Sequence, residues 1–179
     1  MLNKQKMEET FREKGFSDFK WIDPKRIIVS QWVRLKCMFG CPEFGNSAVC
    51  PPNTPSVLDC EKFFQEYKNV VIFRFEKQLE DPEARHKWSK EINMKLLNLE
   101  KVIFLEGYVK AFLLPIDSCY LCEECTSNLK DCKNPKQSRP TPEGMAVDLF
   151  STVTQVGYPI KVLKDYTEIM NRYALLLID

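Results

Sequence analysis

The first half of the chain contains apolar residues at helical spacing and then in extended runs. Residues 4–14 place Met7 and Phe11 on one face, which predicts a short helix. Residues 26–35 are rich in β-branched and aromatic side chains and predict a strand. Residues 69–75 predict a second strand for the same reason.

A helix is predicted between these two strands. Thr54 is a suitable N-cap. Pro55 suits the first helical position because an N–H group there would have no partner within the helix, so proline loses nothing by lacking one. Apolar residues then recur at spacings of three and four along one face. They are Val57, Cys60, Phe64 and Tyr67.

A longer helix is predicted over residues 82–106, which Asp81 precedes and Gly107 ends. Its buried stripe is formed by Trp88, Ile92, Leu96, Leu99 and Ile103. Residues 109–116 then predict a strand. The strand–helix–strand order predicts a βαβ unit with a parallel strand pair and a right-handed crossover.

The last third of the chain predicts a helix and two short strands. The helix covers residues 142–156, with Thr141 as its cap and Gly157 after its end. Residues 159–163 and 173–178 are the strands. Together the elements predict a compact α/β single domain over residues 1–179. It has a mixed sheet of about four to five strands, flanking helices and two cysteine-rich metal-binding loops.

Composition and charge narrow the class of protein. The chain has 179 residues, 44% hydrophobic and 28% charged, which is typical of globular proteins. Its net charge of +1 provides no basic field for nucleic acid, so no nucleic-acid partner is expected. The charged N-terminus and the lack of an apolar run of about 18 residues predict a cytoplasmic protein without a membrane segment.

Eight cysteines are the most informative feature of this composition. Cytosolic thiols are kept reduced, so clustered cysteines there favour metal or redox chemistry over disulfides. Four of them, Cys119, Cys122, Cys125 and Cys132, form a C-x2-C-x2-C-x6-C pattern. The C-x2-C-x2-C run is shared with ferredoxins and favours a [4Fe–4S] cluster. Zinc is the alternative, although zinc sites usually pair two C-x2-4-C elements across a longer gap.

The first cysteine group is Cys37, Cys41 and Cys50, in a loop rich in glycine and proline. Cys60 has two interpretations. It completes a second four-cysteine site, or it belongs to the apolar face of its helix. In the second case, the first group holds a metal with one open position, as a catalytic metal site requires.

Several polar residues near the cysteines are also candidates. Arg34 and Lys36 flank Cys37 and are either solvated charges or cations beside a cluster. His86 is the only histidine, and a surface position among charged residues is expected for it. Arg139, Glu143 and Asp148 follow the second cysteine group, as structural support or as part of an active site.

The cysteine-containing segments resemble an uncharacterised family of predicted metal-binding proteins, found mainly in anaerobic bacteria and archaea. The resemblance spans roughly residues 21–160 and includes WVRLKCMFGCPEFGNSAVCPPNTP and the R-P-x-x-E-x4-D segment from Arg139 to Asp148. It implies that seven cysteines recur and that Cys60 does not. These are Cys37, Cys41, Cys50, Cys119, Cys122, Cys125 and Cys132. Gly144 stands where alanine is expected.

Three functions fit this pattern. The first is electron transfer through two [4Fe–4S] clusters to a protein redox partner. The second is an enzyme, or a metal or sulfur delivery factor, that uses an open three-cysteine cluster and whose small-molecule substrate the sequence does not identify. The third is an interaction module held together by structural zinc.

Overall fold

The computed structural model of the protein describes residues 2–79 and 81–179. Its centre is a four-stranded sheet in which every pair of neighbouring strands is antiparallel, in the order β1-β2-β4-β3. The strands are β1 (Phe19–Ile22), β2 (Val70–Lys77), β3 (Phe112–Leu114) and β4 (Met170–Leu177). The helices are α1 (Lys4–Glu13), α2 (Gln31–Gly40), α3 (Val57–Gln65), α4 (Pro82–Leu105) and α5 (Leu149–Thr154).

The sheet is buried on both faces. Alternate residues of β2, such as Val70 and Val71, contribute to two different hydrophobic clusters. One face packs against α3 and α5 through residues such as Phe64. The other face packs against α1 and α4 through residues such as Phe11 and Leu96. The α/β class predicted from the sequence is therefore confirmed.

The predicted parallel βαβ pair is wrong. β2 and β3 do run in the same direction, but β4 lies between them and pairs antiparallel with both. The apolar runs 70–73 and 174–178 are buried on both sides. Continuous apolar strands of this kind are usual in parallel sheets. Here the helices on both faces of an antiparallel sheet produce the same pattern.

The predicted strand over residues 26–35 is also wrong. Pro24–Arg26 forms a 3-10 turn, Val29 makes a single bridge with Val147, and α2 begins at Gln31. The β-branched residues of this stretch therefore meet only one bridge partner. Tertiary context commonly overrides strand propensity in this way.

The predicted helix over residues 142–156 is only partly present. Residues 142–146 form turns, and α5 begins at Leu149. Asp148 caps α5, since its carboxylate accepts a 3.0 Å hydrogen bond from the Ser151 N–H. Residues 159–163 are irregular, and the last strand begins at Met170.

The cap of α3 is Ser56, whose hydroxyl accepts a hydrogen bond from the Asp59 N–H, so Thr54 does not cap this helix. The long helix α4 is confirmed, with Asp81 as its cap. Among the described residues, no helix is both long and apolar enough to cross a membrane.

Candidate metal and ligand sites

The second cysteine group lies in the loop that leaves β3. Asn93 of α4 anchors the start of this loop: its amide nitrogen donates to the carbonyls of Ile116 (2.9 Å) and Ser118 (3.1 Å). Its amide oxygen accepts from the Ile116 N–H at 3.1 Å. Because Asn93 is buried, these three bonds fix the backbone directly before Cys119.

The four cysteines of this group line one small cavity. Residues of the first cysteine loop, including Ser47 and Ala48, form part of its wall. The Ala48 N–H donates to Cys125 Sγ at 3.2 Å, and Asn134 Nδ2 donates to Cys122 Sγ at 3.0 Å. Hydrogen bonds to ligand sulfurs are a regular feature of iron–sulfur sites, so the donor set of this cavity fits such a cluster.

The first cysteine group lines a second and much larger cavity of about 630 Å³. Cys37 lies in the last turn of α2 and Cys41 follows the end of that helix. Cys50 reaches the same cavity from the loop that follows. Three thiols from one helix end and its loop therefore face a space of substrate size.

Burial raises the pKa of Cys37 and Cys50 in the first group and of Cys119 in the second. For Cys37, nearby Cys41 and Glu143 add to the increase and the charge of Arg34 opposes it. For Cys50, the neighbouring hydroxyls of Ser47 and Ser118 oppose the increase. The Ser47 hydroxyl is buried and makes no well-aligned hydrogen bond to another described residue. It is therefore available to donate a hydrogen bond to a neighbouring sulfur.

The two groups are neighbours in space. Ala48, which contacts Cys125, is two residues from Cys50, so their α-carbons are at most about 7 Å apart. Ser118, directly before Cys119, is near enough to Cys50 to lower its pKa. The structure thus brings all seven candidate ligand cysteines into one region of the molecule.

Asn53 and Ser127 strengthen the contact between the two cysteine loops. Asn53 Nδ2 donates to the Ser127 carbonyl at 2.7 Å, and Ser127 Oγ donates to the Asn46 carbonyl at 3.2 Å. Ser127 has a φ of 61°, and Asp117 and Ala146 have φ values of 57° and 60°. Left-handed residues other than glycine are energetically unfavourable, and they concentrate at functional sites.

Cys60 lies apart from both groups. It is fully buried in the core on the α3 side of the sheet. Its thiol contacts the Pro55 carbonyl at 3.6 Å and Met145 Sδ at 4.0 Å. It lines neither the small nor the large cavity. This position matches the interpretation of Cys60 as a core residue.

The charged residues of the R-P-x-x-E-x4-D segment have separate positions. Arg139 Nε donates to the buried carboxylate of Glu100 at 2.9 Å, so its partner is Glu100. Glu143 lines the large cavity, as does Asp148. Solvent reaches Glu143 inside the cavity, but the surrounding protein desolvates the carboxyl and raises its pKa, with a further increase from Asp117.

The cations beside Cys37 also differ from one another. Arg34 is not a solvated charge: it donates to Thr54 Oγ1 (2.6 Å) and to the carbonyls of Pro55 (3.0 Å) and Gly144 (3.2 Å). It therefore joins α2 to the residues before α3 and to the turn that carries Glu143. Lys36 is exposed and lines the large cavity.

Asp117 is the centre of a charge network that lines the same cavity. Its side chain is 4% exposed and pairs with Arg85 of α4 and Arg172 of β4. Burial alone would raise the pKa of Asp117. The hydrogen bond from Arg85 and the charges of both arginines outweigh burial and lower it.

The surface position expected for His86 is confirmed. Its ring is exposed and stacks on Tyr120, with 5.0 Å between ring centroids. Within residues 2–79 and 81–179, no three cysteine, histidine or acidic side chains form a ready-made site for a single metal ion.

Sequence analysis missed Asn93 and Asp117. A signal for the first was present, because Ser89, Asn93 and Glu100 are polar residues on the buried side of α4. A buried polar residue needs a partner, and in each case the partner lies at the cysteine loops or at β3. Asp117 had no local signal, since its partners come from two distant elements.

The fold and these sites define a cysteine-rich α/β protein with two adjacent candidate metal sites. The chain belongs to the family described as "Predicted metal-binding protein (DUF2284)", whose model matches residues 20–178. This membership confirms the resemblance inferred from the cysteine pattern. No curated protein and no solved structure is significantly similar to the chain.

Proposed function

We propose that this protein is an iron–sulfur electron carrier with two [4Fe–4S] clusters, one of which is open to a small molecule. Cys119, Cys122, Cys125 and Cys132 would hold the closed cluster. Cys37, Cys41 and Cys50 would hold the open one. Such clusters supply one-electron transfer, and an iron without a protein thiolate supplies a coordination position.

The observation that carries the proposal is the different surroundings of the two groups. The four-cysteine group lines a small cavity in which Asn134 and Ala48 direct N–H donors at two of its sulfurs. The three-cysteine group borders a cavity of about 630 Å³. This difference supports a closed site at the four-cysteine group and a site open to a ligand at the three-cysteine group.

The contact between the two loops supports electron transfer between the sites. The segment from Ser47 to Cys50 contributes to the wall of both cavities. It also carries the Ala48 N–H that donates to Cys125. Residues of one short segment therefore lie between the two groups, which supports electron transfer over a short distance.

Anaerobic redox titration tests the proposal. We expect a reversible one-electron couple below 0 mV, with bleaching of a broad visible absorption, within the range of about −700 to +450 mV known for such clusters. A colourless protein without a redox couple, which binds zinc and unfolds with a chelator, would instead support the structural zinc module.

The Cys60→Ala variant tests the assignment of the open site. Because Cys60 lies in the core, we expect an unchanged iron content and a loss of about 1 kcal/mol in the free energy of unfolding, similar to deletion of one buried methyl group. Iron analysis and urea unfolding of the same preparation measure both. Loss of iron in this variant would make Cys60 a ligand and the first site closed.

A further inference from the structure

The large cavity is lined by a cluster of charged side chains and by an apolar wall. Its volume of about 630 Å³ lies within the range of small-molecule sites. The wall is formed largely by Trp32, Phe44, Leu149, Phe150 and Ile160. Arg85 and Arg172 line the same cavity. A site with this composition suits a ligand that has both an apolar body and a charged group.

Asp117 holds the two arginines in position. Its Oδ1 accepts from Arg85 Nη2 at 2.5 Å and from Arg172 Nε at 2.8 Å. Its Oδ2 accepts from Arg85 Nε at 3.1 Å and from Ser89 Oγ at 2.6 Å. All four acceptor positions of the carboxylate are used, so Asp117 has none left for a ligand and acts as a fixed support.

The arginines, in contrast, have unused capacity. Among the described residues, Arg85 Nη1 and Arg172 Nη2 have no hydrogen-bond partner, and neither nitrogen is buried without one. Two guanidinium groups share one carboxylate, which leaves one positive charge in excess within this three-residue network. Within the described part of the chain, no ion pair joins either arginine to Glu143.

Glu143 and the three cysteines of the first group line the same cavity as the two arginines. A molecule anchored at the arginines therefore occupies the space that the three thiols border.

We propose that the cavity binds a small organic acid whose carboxylate accepts hydrogen bonds from Arg85 and Arg172 and whose apolar body lies along the aromatic wall. This inference rests on the proposed function, because it identifies the class of molecule that reaches the open site. A planar carboxylate suits the fork of a guanidinium and carries the single charge that balances the excess. A phosphate dianion would bring two negative charges into a cavity whose described lining residues have no net positive charge. Its cations are Lys36, Arg85, Lys161 and Arg172, and its anions are Glu43, Asp117, Glu143 and Asp148.

Calorimetric titration of the anaerobically purified full chain tests this proposal with three matched probes: hexanoate, hexan-1-ol and hexyl phosphate. We expect hexanoate to bind saturably and hexanol to bind at least tenfold more weakly. Hexyl phosphate should bind no more tightly than hexanoate. Arg172→Gln should weaken hexanoate binding by about tenfold or more, the effect of losing a charge-assisted hydrogen bond. The control Arg26→Gln, which removes an exposed arginine outside the cavity, should bind as the parent does.

The wild-type comparison decides the proposal even if Arg172→Gln fails to fold. Equal affinity for hexanoate and hexanol, or tighter binding of hexyl phosphate, would overturn it. Iron analysis of the same sample shows whether a negative result concerns the ligand or the proposed clusters. If the protein contains iron but does not bind hexanoate, only the inference of an organic-acid site is overturned. If the protein binds hexanoate but contains zinc instead of iron, only the proposal of iron–sulfur clusters is overturned.

Discussion

Replacing Cys122 and Cys125 together with alanine is expected to remove about four of about eight iron atoms per chain, because two thiolates do not retain a [4Fe–4S] cluster. The sulfurs of these two cysteines accept hydrogen bonds from the side-chain amide of Asn134 and the backbone N–H of Ala48, so both are held in position in the small cavity. The remaining iron would belong to the Cys37 group. Iron and acid-labile sulfide analysis under anaerobic conditions measures the change.

The matched control for this variant is Cys60→Ala, which removes one thiol group from the core. It should retain all of the iron. An unchanged iron content in the double variant would contradict the assignment of Cys122 and Cys125 as ligands. Loss of all iron would show that the first site does not form without the second.

Replacing Asp117 with asparagine is expected to decrease the free energy of unfolding by about 3 kcal/mol, in the range for breaking a buried ion pair. The variant leaves Arg85 and Arg172 facing each other without their shared carboxylate. Asparagine tolerates the φ of 57° at this position about as well as aspartate does, so the loss reports the charge network and not the backbone. The thermal midpoint should fall by roughly 6–12 °C for a chain of this size.

Glu106→Gln is the control for Asp117→Asn. Glu106 pairs with Lys6 at the surface, where the two side chains are 24% and 59% exposed. Exposed ion pairs contribute little to stability, so the thermal midpoint should hardly change. A midpoint for Asp117→Asn equal to that of Glu106→Gln would contradict the structural role of the network.

The helices with strong periodicity were predictable from sequence because their signals are local. The stripe from Trp88 to Ile103 and the cap at Asp81 both occur within α4 itself. The position of β4 was not predictable, because an apolar run buried on both sides does not reveal its neighbours. The strand predicted over residues 26–35 is absent for a related reason. Its β-branched residues favour a strand, but the only strand-like pairing that this stretch makes with the described residues is the bridge between Val29 and Val147.

The candidate site divides in the same way. The C-x2-C-x2-C spacing places three thiols on one short loop, so the sequence alone brings them together. The large cavity depends on residues that only the fold brings together. Arg85 comes from α4, Asp117 from the loop after β3, and Arg172 from β4. No spacing within the sequence indicates that the first cysteine group and these charges share one space.

The most direct test of the two-cluster proposal is the amount of iron, acid-labile sulfide and zinc per chain in protein purified without oxygen, together with its visible spectrum. We expect about eight iron and eight sulfide per chain, a brown colour and little zinc. Stoichiometric zinc in a colourless protein would contradict it and would make the cysteine groups structural metal sites.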